Sequence, residues 1–157
     1  MRIAVSGTHV VGKSTLVAAL GDHLPDHTVV PEPYELLEER GYEFAHPPSI
    51  EDYVAQLRQS LSVLRRPAPN LIVDRCPLDF LAYIFASPGG ERFNVEPWRP
   101  PIATAMASLD LLIALRADLA HEPVEGDDLG LCEGIEIIVL DGPWDRRLAN
   151  VLARLSP

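Results

Sequence analysis

The sequence predicts an α/β fold of three layers, in which a parallel sheet lies between two layers of helices. Short apolar runs of strand length alternate with helical patterns along the chain, and strands joined by a helix pair in parallel. The strand runs are continuously apolar, which is typical of a sheet covered on both faces. With 157 residues and 47% hydrophobic composition, the chain suits one domain spanning residues 1–157.

Strands are predicted at residues 3–5, 28–30, 71–73, 111–115 and 135–140, and helices at residues 14–20, 34–40, 50–64, 77–84, 102–109 and 144–155. Ser49, with Asp52 three residues later, is typical of a helix N-terminus, and Pro77 suits the first turn of another helix. Gly21 and Gly41 are predicted to end two helices. The Pro- and Gly-rich stretch at residues 87–101 is predicted to be a loop.

Charge and composition argue against several classes of function. With 13 Lys and Arg against 23 Asp and Glu, we do not expect the basic surface that non-specific nucleic-acid binding requires. Cys76 and Cys132 form neither a disulfide framework nor a zinc motif, which fits a cytoplasmic location. There is no apolar run of about 18 residues and no signal-peptide pattern, so we expect neither nucleic acid nor a membrane as a partner.

Residues 7–14 match the pattern G-x-x-x-x-G-K-[ST], with a predicted strand before them and a helix after them. The glycines permit unusual backbone angles, and the backbone N–H groups of such a loop surround an anion at a helix N-terminus. The loop is therefore predicted to bind ATP with Mg²⁺. The predicted nucleotide contacts are Gly7, Thr8, His9, Val10, Val11, Gly12, Lys13, Ser14 and Thr15.

Asp74 and Arg75 follow the apolar run at residues 71–73. In proteins with a phosphate-binding loop, an acid at the end of such a strand holds Mg²⁺ together with the loop hydroxyl. Asp74 and Ser14 are therefore the predicted metal ligands. Arg75 is predicted to stabilise charge on a transferred phosphoryl group, with Lys13 on the β- and γ-phosphates.

Glu32 is the candidate general base for transfer to a hydroxyl. It follows the second predicted strand and lies between Pro31 and Pro33, which restrict the backbone. Ligands of parallel α/β sheets bind at the carboxyl ends of the strands. The residues predicted to share that edge are Gly7, Glu32, Asp74, Arg75 and Arg116.

Three motifs together resemble the P-loop kinases of nucleosides and nucleotides: residues 7–14, Glu32-Pro33 and Asp74-Arg75. In the deoxyribonucleoside kinases, a Glu-Pro after the second strand provides the general base. The stretches at residues 74–83 and 139–148 are similar to the AAA-type ATPase/kinase family that includes the ribosylnicotinamide kinase domain. This resemblance implies a five-stranded parallel sheet of order 2-3-1-4-5 and an adenine-side loop at Gly142 and Pro143.

The same resemblance implies ATP as the donor and a lid with arginines after the fourth strand. The corresponding residues 117–136 contain seven acids and no Lys or Arg, and only Arg116 precedes them. A lid without arginines does not clamp a phosphoryl group in the usual way. We therefore expect a shortened or flexible lid at residues 117–134, with Arg116 as a candidate catalytic residue.

The expected function is transfer of the γ-phosphoryl of MgATP to a small hydroxyl acceptor such as a nucleoside or nucleotide. The alternative is an ATP-binding regulatory or interaction module with slow or no turnover, which the arginine-free lid favours. A GTPase is disfavoured because no Asn-Lys-x-Asp sequence is present to recognise guanine. The oligomeric state is left open by the sequence, with a homodimer among the alternatives.

Overall fold

The computed structural model describes residues 1–7, 12–115 and 130–155 of the chain. The strands are β1 (Arg2–Gly7), β2 (Thr28–Val30), β3 (Leu71–Asp74), β4 (Leu111–Leu115) and β5 (Glu136–Leu140). The helices are α1 (Lys13–His23), α2 (Pro33–Glu38), α3 (Ile50–Leu64), α4 (Pro77–Ala86), α5 (Arg99–Met106) and α6 (Trp144–Leu155). Two short 3-10 helices, Gly90–Arg92 and Glu96–Trp98, lie in the stretch predicted to be a loop.

The five strands form one parallel sheet in the order β2-β3-β1-β4-β5, which confirms the predicted fold class. In the centre of the sheet, Ile3 of β1 lies opposite Ile72 of β3 on one side and Leu111 of β4 on the other. Because every strand runs in the same direction, the carboxyl ends of β1 and β3 meet at one edge. The start of the phosphate loop and Asp74 therefore lie at the same edge of the sheet.

Two apolar cores lie on opposite faces of the sheet, because successive side chains of a strand point to opposite faces. Ala4 faces the core formed with α3, α4 and α5, where Phe80 is fully buried. Ile3 and Val5 face the core formed with α1 and α6. No helix among the described residues is long and apolar enough to cross a bilayer.

Gly21 does not end α1, contrary to the prediction, because the helix continues to His23. A Cβ atom at Gly21 would lie 2.7 Å from Cγ2 of Val29 on β2. Glycine is therefore used here for close packing of a helix on a strand. The fifth helix also begins earlier than predicted, at Arg99, because Pro100 is tolerated in a first helical turn, where no intrahelical N–H bond is required.

The edge strands are less covered than the continuous apolar pattern predicted. Val29 of β2 and Ile137 and Val139 of β5 are exposed among the described residues. A two-sided core therefore covers the three central strands, whereas each edge strand has an exposed side.

The predicted lid at residues 117–134 lies mostly outside the described residues, and so does Arg116. Its last part is described from Gly130 onward. There Leu131 is buried in the core beside α3, α4 and α5, and Cys132 packs against the same core. The C-terminal end of this segment is therefore part of the packed structure.

Phe80→Ala is expected to lower the free energy of unfolding by about 3–5 kcal/mol, because it leaves a cavity where a large side chain was fully buried. Phe85 on the same helix provides the control, since it is 43% exposed. Phe85→Ala is expected to cost about 1 kcal/mol or less. Urea unfolding monitored by circular dichroism measures both, and equal losses would contradict the assigned core.

Candidate active site

Both glycines of the phosphate loop have backbone angles that other residues rarely adopt. Gly7 ends β1 with φ 145°, and Gly12 precedes α1 with φ 84°. Without a Cβ atom, glycine reaches this region at little cost. Thr8, His9, Val10 and Val11, which are also predicted nucleotide contacts, lie outside the described residues.

Lys13, Ser14 and Thr15 form the first turn of α1. Lys13 is buried, whereas Ser14 and Thr15 are exposed. Burial lowers the pKa of Lys13, and the nearby positive charge of Arg75 lowers it further. Among the described residues, the start of α1 thus presents a hydroxyl and a desolvated amine beside the ends of β1 and β3.

Ser14 and Asp74 are in direct contact, because the Ser14 hydroxyl donates to Oδ2 of Asp74 at 2.8 Å. Oδ1 of Asp74 is buried with no hydrogen-bond partner among the described residues. These residues fit Mg²⁺, which binds oxygen ligands and usually takes only one or two carboxylates from the protein beside phosphates and water. The described part of the chain contains no group of three or more acidic, His or Cys residues that could hold a metal alone.

Arg75 has the only positive φ among the described non-glycine residues, at 75°. Such a conformation costs about 1–3 kcal/mol and persists where neighbouring contacts determine it. The Arg75 backbone N–H donates to the Val5 carbonyl at 2.9 Å, which extends the contact between β3 and β1. This backbone geometry directs the side chain of Arg75 towards Glu32 and Gly7.

The guanidinium of Arg75 joins three segments of the chain. Nε donates to Oε1 of Glu32 at 3.0 Å, and Nη1 donates to the Gly7 carbonyl at 3.1 Å and to the Tyr83 hydroxyl at 2.7 Å. The side chain is only 2% exposed, so these charges meet in a desolvated environment. The candidate base and the first residue of the phosphate loop therefore share one cation.

Glu32 precedes Pro33 at the start of α2, and its carbonyl accepts from the Leu36 N–H at 3.2 Å. Its side chain is 20% exposed, so a small molecule can reach the carboxylate that Arg75 holds. The structure thus brings together four of the five residues expected at this edge, Gly7, Glu32, Asp74 and Arg75. Arg116, the fifth, is outside the described residues.

Asp79, which the sequence motifs do not identify, contacts Gly7 of the phosphate loop from α4. Oδ1 of Asp79 accepts from the Ser6 hydroxyl at 3.0 Å and from the Gly7 N–H at 3.1 Å. Oδ2 accepts from the Cys76 N–H at 2.8 Å, as in a helix capping box. The available signal was an acid three residues after Cys76, but cysteine is not among the preferred N-cap residues.

The predicted adenine-side loop, with Gly142 and Pro143, follows β5. Gly142 has φ 75° and, with Pro143, joins β5 to α6 at the same edge of the sheet as the phosphate loop. On α6, Arg147 is buried, whereas Arg146 is exposed.

Burial raises the pKa of Asp74 above its ordinary value of 3.8, despite the Ser14 hydrogen bond. Between that value and its folded-state pKa, the folded protein holds more protons at Asp74 than the unfolded chain does, so this residue lowers stability as pH rises. Asp74→Asn is therefore expected to stabilise the nucleotide-free protein at pH 7. The gain should disappear as pH falls to 3.8.

Asp52 provides a control of opposite sign. Burial raises its pKa, but hydrogen bonds from Ser49 and Tyr42 outweigh that effect and lower it overall. Asp52→Asn should therefore destabilise the protein at pH 7, with a smaller loss at acid pH. Urea unfolding across pH measures both variants, and loss of stability in Asp74→Asn at pH 7 would contradict the unsatisfied state of Asp74.

Comparison with known proteins places this geometry in a family. Three solved structures share the fold: the NadR protein in complex with NR (TM-score 0.69, 18% identity, covering 98% of this chain and 48% of that chain), deoxyadenosine kinase from M. mycoides with bound dATP (0.63, 18%, 99% and 99%) and shikimate kinase from Aquifex aeolicus vf5 (0.57, 13%, 99% and 95%). This chain therefore spans about half the length of the NadR chain.

No curated protein matches the chain in sequence. The structural likenesses establish a fold like that of the P-loop nucleoside kinases. The model of a family described as an AAA domain matches residues 2–115. Since this match covers more than half of its residues, the chain belongs to the AAA domain family.

Proposed function

We propose that this protein is an ATP-dependent kinase that transfers the γ-phosphoryl of MgATP to a hydroxyl group of a small acceptor, such as a nucleoside or nucleotide. The observation that carries the proposal is the buried Arg75, which holds the Glu32 carboxylate and the Gly7 carbonyl in one contact network. A partly exposed carboxylate beside a phosphate loop is the arrangement that transfer to a hydroxyl requires.

The donor side uses the phosphate loop, Lys13 and Thr15 to bind the polyphosphate. Ser14 and Asp74 would hold Mg²⁺, which supplies neutralisation of charge on the phosphates. The desolvation that lowers the pKa of Lys13 also strengthens its attraction to phosphate in the same environment. Gly142 and Pro143 are proposed to border the adenine, at the edge of the sheet where β5 ends.

On the acceptor side, Glu32 is proposed to orient the hydroxyl and take its proton. Arg75 fixes that carboxylate by its Nε contact and places positive charge beside the phosphate loop by its Nη1 contact. A fixed charge at this place stabilises negative charge that develops on the transferred group. Arg116 follows β4 directly in the sequence and remains a candidate for the same task.

Aromatic side chains lie next to this network. Tyr83, which accepts from Arg75, stacks on Tyr53 with ring centroids 5.3 Å apart. The structural neighbours include the NadR protein in complex with NR, a deoxyadenosine kinase with dCMP and dCDP bound, and a shikimate kinase. A nucleoside or nucleotide is therefore the first class of acceptor to test, and a hydroxylated carboxylic acid is the second.

An ATP-binding regulatory module with slow turnover is the second candidate. It is favoured by residues 117–136, which have no Lys or Arg to contact a transferring phosphoryl group. The affinity of such a module for its partner would differ between the MgATP-bound and the MgADP-bound states. A ligand shifts an equilibrium only between states that it binds with different affinity. Transfer to an acceptor distinguishes the two candidates.

The direct test measures ATP consumption with a panel of nucleosides, nucleoside monophosphates and hydroxylated acids, followed by mass spectrometry of the product. A phosphorylated acceptor is expected, and Lys13→Ala should lower its rate by about 100-fold or more because it removes a charge from the phosphates. If the wild-type protein binds MgATP and phosphorylates none of the panel, the regulatory module becomes the better description.

Glu32→Gln should lower kcat by about 10²–10⁴-fold, the usual contribution of a general base, while MgADP affinity changes little. Glu35 supplies the matched control, because it is an exposed acid on α2 only three residues away. Glu35→Gln should leave both values unchanged. Equal loss of kcat in the two variants, or a weaker MgADP affinity in place of a kcat effect, would remove Glu32 from the proposed role.

A further inference from the structure

Asp79 has no role in the sequence motifs or in the proposed reaction, yet its side chain accepts several hydrogen bonds beside the site. Its carboxylate is buried and lies between two segments that are far apart in sequence. Oδ1 accepts from the Ser6 hydroxyl and the Gly7 N–H, and Oδ2 accepts from the Cys76 N–H. One side chain therefore fixes the end of β1 to the first turn of α4.

The N–H and the carbonyl of Gly7 both form hydrogen bonds with side chains of the site. The N–H donates to Asp79 at 3.1 Å, and the carbonyl accepts from Nη1 of Arg75 at 3.1 Å. Gly7 has φ 145°, where no Cβ atom restricts rotation of the backbone. Besides its pairing with Leu115 of β4, the orientation of the Gly7 peptide at the start of the phosphate loop therefore depends on these two contacts.

Asp79 also acts on Arg75, because its Oδ1 lies 3.7 Å from Arg75 Nη1. Glu32 occupies the Nε side of the same guanidinium at 3.0 Å. Two carboxylates thus compensate one buried cation, and hydrogen bonds to ionised groups are stronger and more directional than neutral ones. The positions of Glu32 and of Gly7 are consequently linked through Arg75 and Asp79.

We propose that Asp79 is a positioning residue that sets the phosphate loop relative to the Glu32–Arg75 pair, and through it the alignment of the triphosphate with the acceptor. The statement about alignment with the acceptor rests on the proposed function. The statement about Gly7 and the phosphate loop requires only that the protein binds a nucleotide.

The test separates this role from simple capping of α4. Asp79→Glu keeps the charge and the capping box, since Glu is the usual acid at that helical position, but displaces the carboxylate by one methylene. We expect a melting temperature close to that of the wild type, with MgADP bound about tenfold more weakly and kcat lowered at least as much. That size corresponds to loss of a hydrogen bond to a charged acceptor.

Asp79→Asn and Ser6→Ala are the companion variants. Asn has one acceptor oxygen, so it cannot accept both from Ser6 and Gly7 and from Cys76, and the melting temperature and the MgADP affinity should both fall. Ser6→Ala removes one donor to Oδ1 and leaves the Gly7 contact, so MgADP affinity should fall by only about threefold. Ser6→Ala and Asp79→Glu decide the matter if Asp79→Asn does not fold.

Asp52→Asn is the matched control, because Asp52 is the acid of the equivalent capping box on α3, where it accepts from the Ser49 N–H at 2.7 Å. It should lower the melting temperature and leave kcat and MgADP affinity within about twofold of wild type. The proposal is overturned if Asp79→Glu binds MgADP like the wild type. If the wild-type protein binds MgADP but phosphorylates no acceptor, the proposed function fails, while the comparison of MgADP affinities between Asp79→Glu and the wild type still decides the role of Asp79.

Discussion

Burial of the Arg75 guanidinium is the constraint on which the rest of the site depends. A buried cation is tolerated only if carboxylates and hydrogen-bond acceptors replace the water that it loses. The acceptors come from three places: Glu32 after β2, Gly7 at the end of β1 and Tyr83 on α4. Satisfying Arg75 therefore requires these segments to meet. These contacts place the candidate base, Glu32, and Gly7, the first residue of the phosphate loop, on the same cation.

Burial moves the pKa values of the two donor-side groups in opposite directions. It lowers the pKa of Lys13 and raises that of Asp74, so each shift disfavours the charged form. Oδ1 of Asp74 lacks a hydrogen-bond partner among the described residues, which is costly in a buried group. Groups that are poorly solvated in the empty protein gain most from a polyphosphate and a cation. The site therefore combines an acceptor half of paired charges with a donor half in which burial disfavours the charged forms of Lys13 and Asp74.

The sheet and the phosphate loop could be predicted because their signals are local in the sequence. Continuous apolar runs mark β1, β3 and β4, and the glycines, Lys13 and Ser14 of the loop have fixed spacing. Asp79 could not be identified in this way, since its importance comes from contacts with Ser6 and Gly7, more than 70 residues earlier. The prediction that Gly21 ends α1 was wrong for a similar reason. Its lack of a side chain serves the packing of Val29, whereas sequence rules associate glycine with helix ends.

The local charges explain how a chain with a net charge of −10 can bind a triphosphate. Lys13 and Arg75 face three carboxylates, those of Glu32, Asp74 and Asp79. Since two of these carboxylates already contact Arg75, its charge is largely compensated. Among the described residues, these side chains alone therefore do not offset a polyphosphate. Under the proposed function, further attraction would come from the backbone N–H groups of the phosphate loop, from a divalent cation beside Asp74 and from the candidate Arg116. This places the shape of the loop, and hence the hydrogen bonds that hold Gly7, among the main determinants of nucleotide affinity.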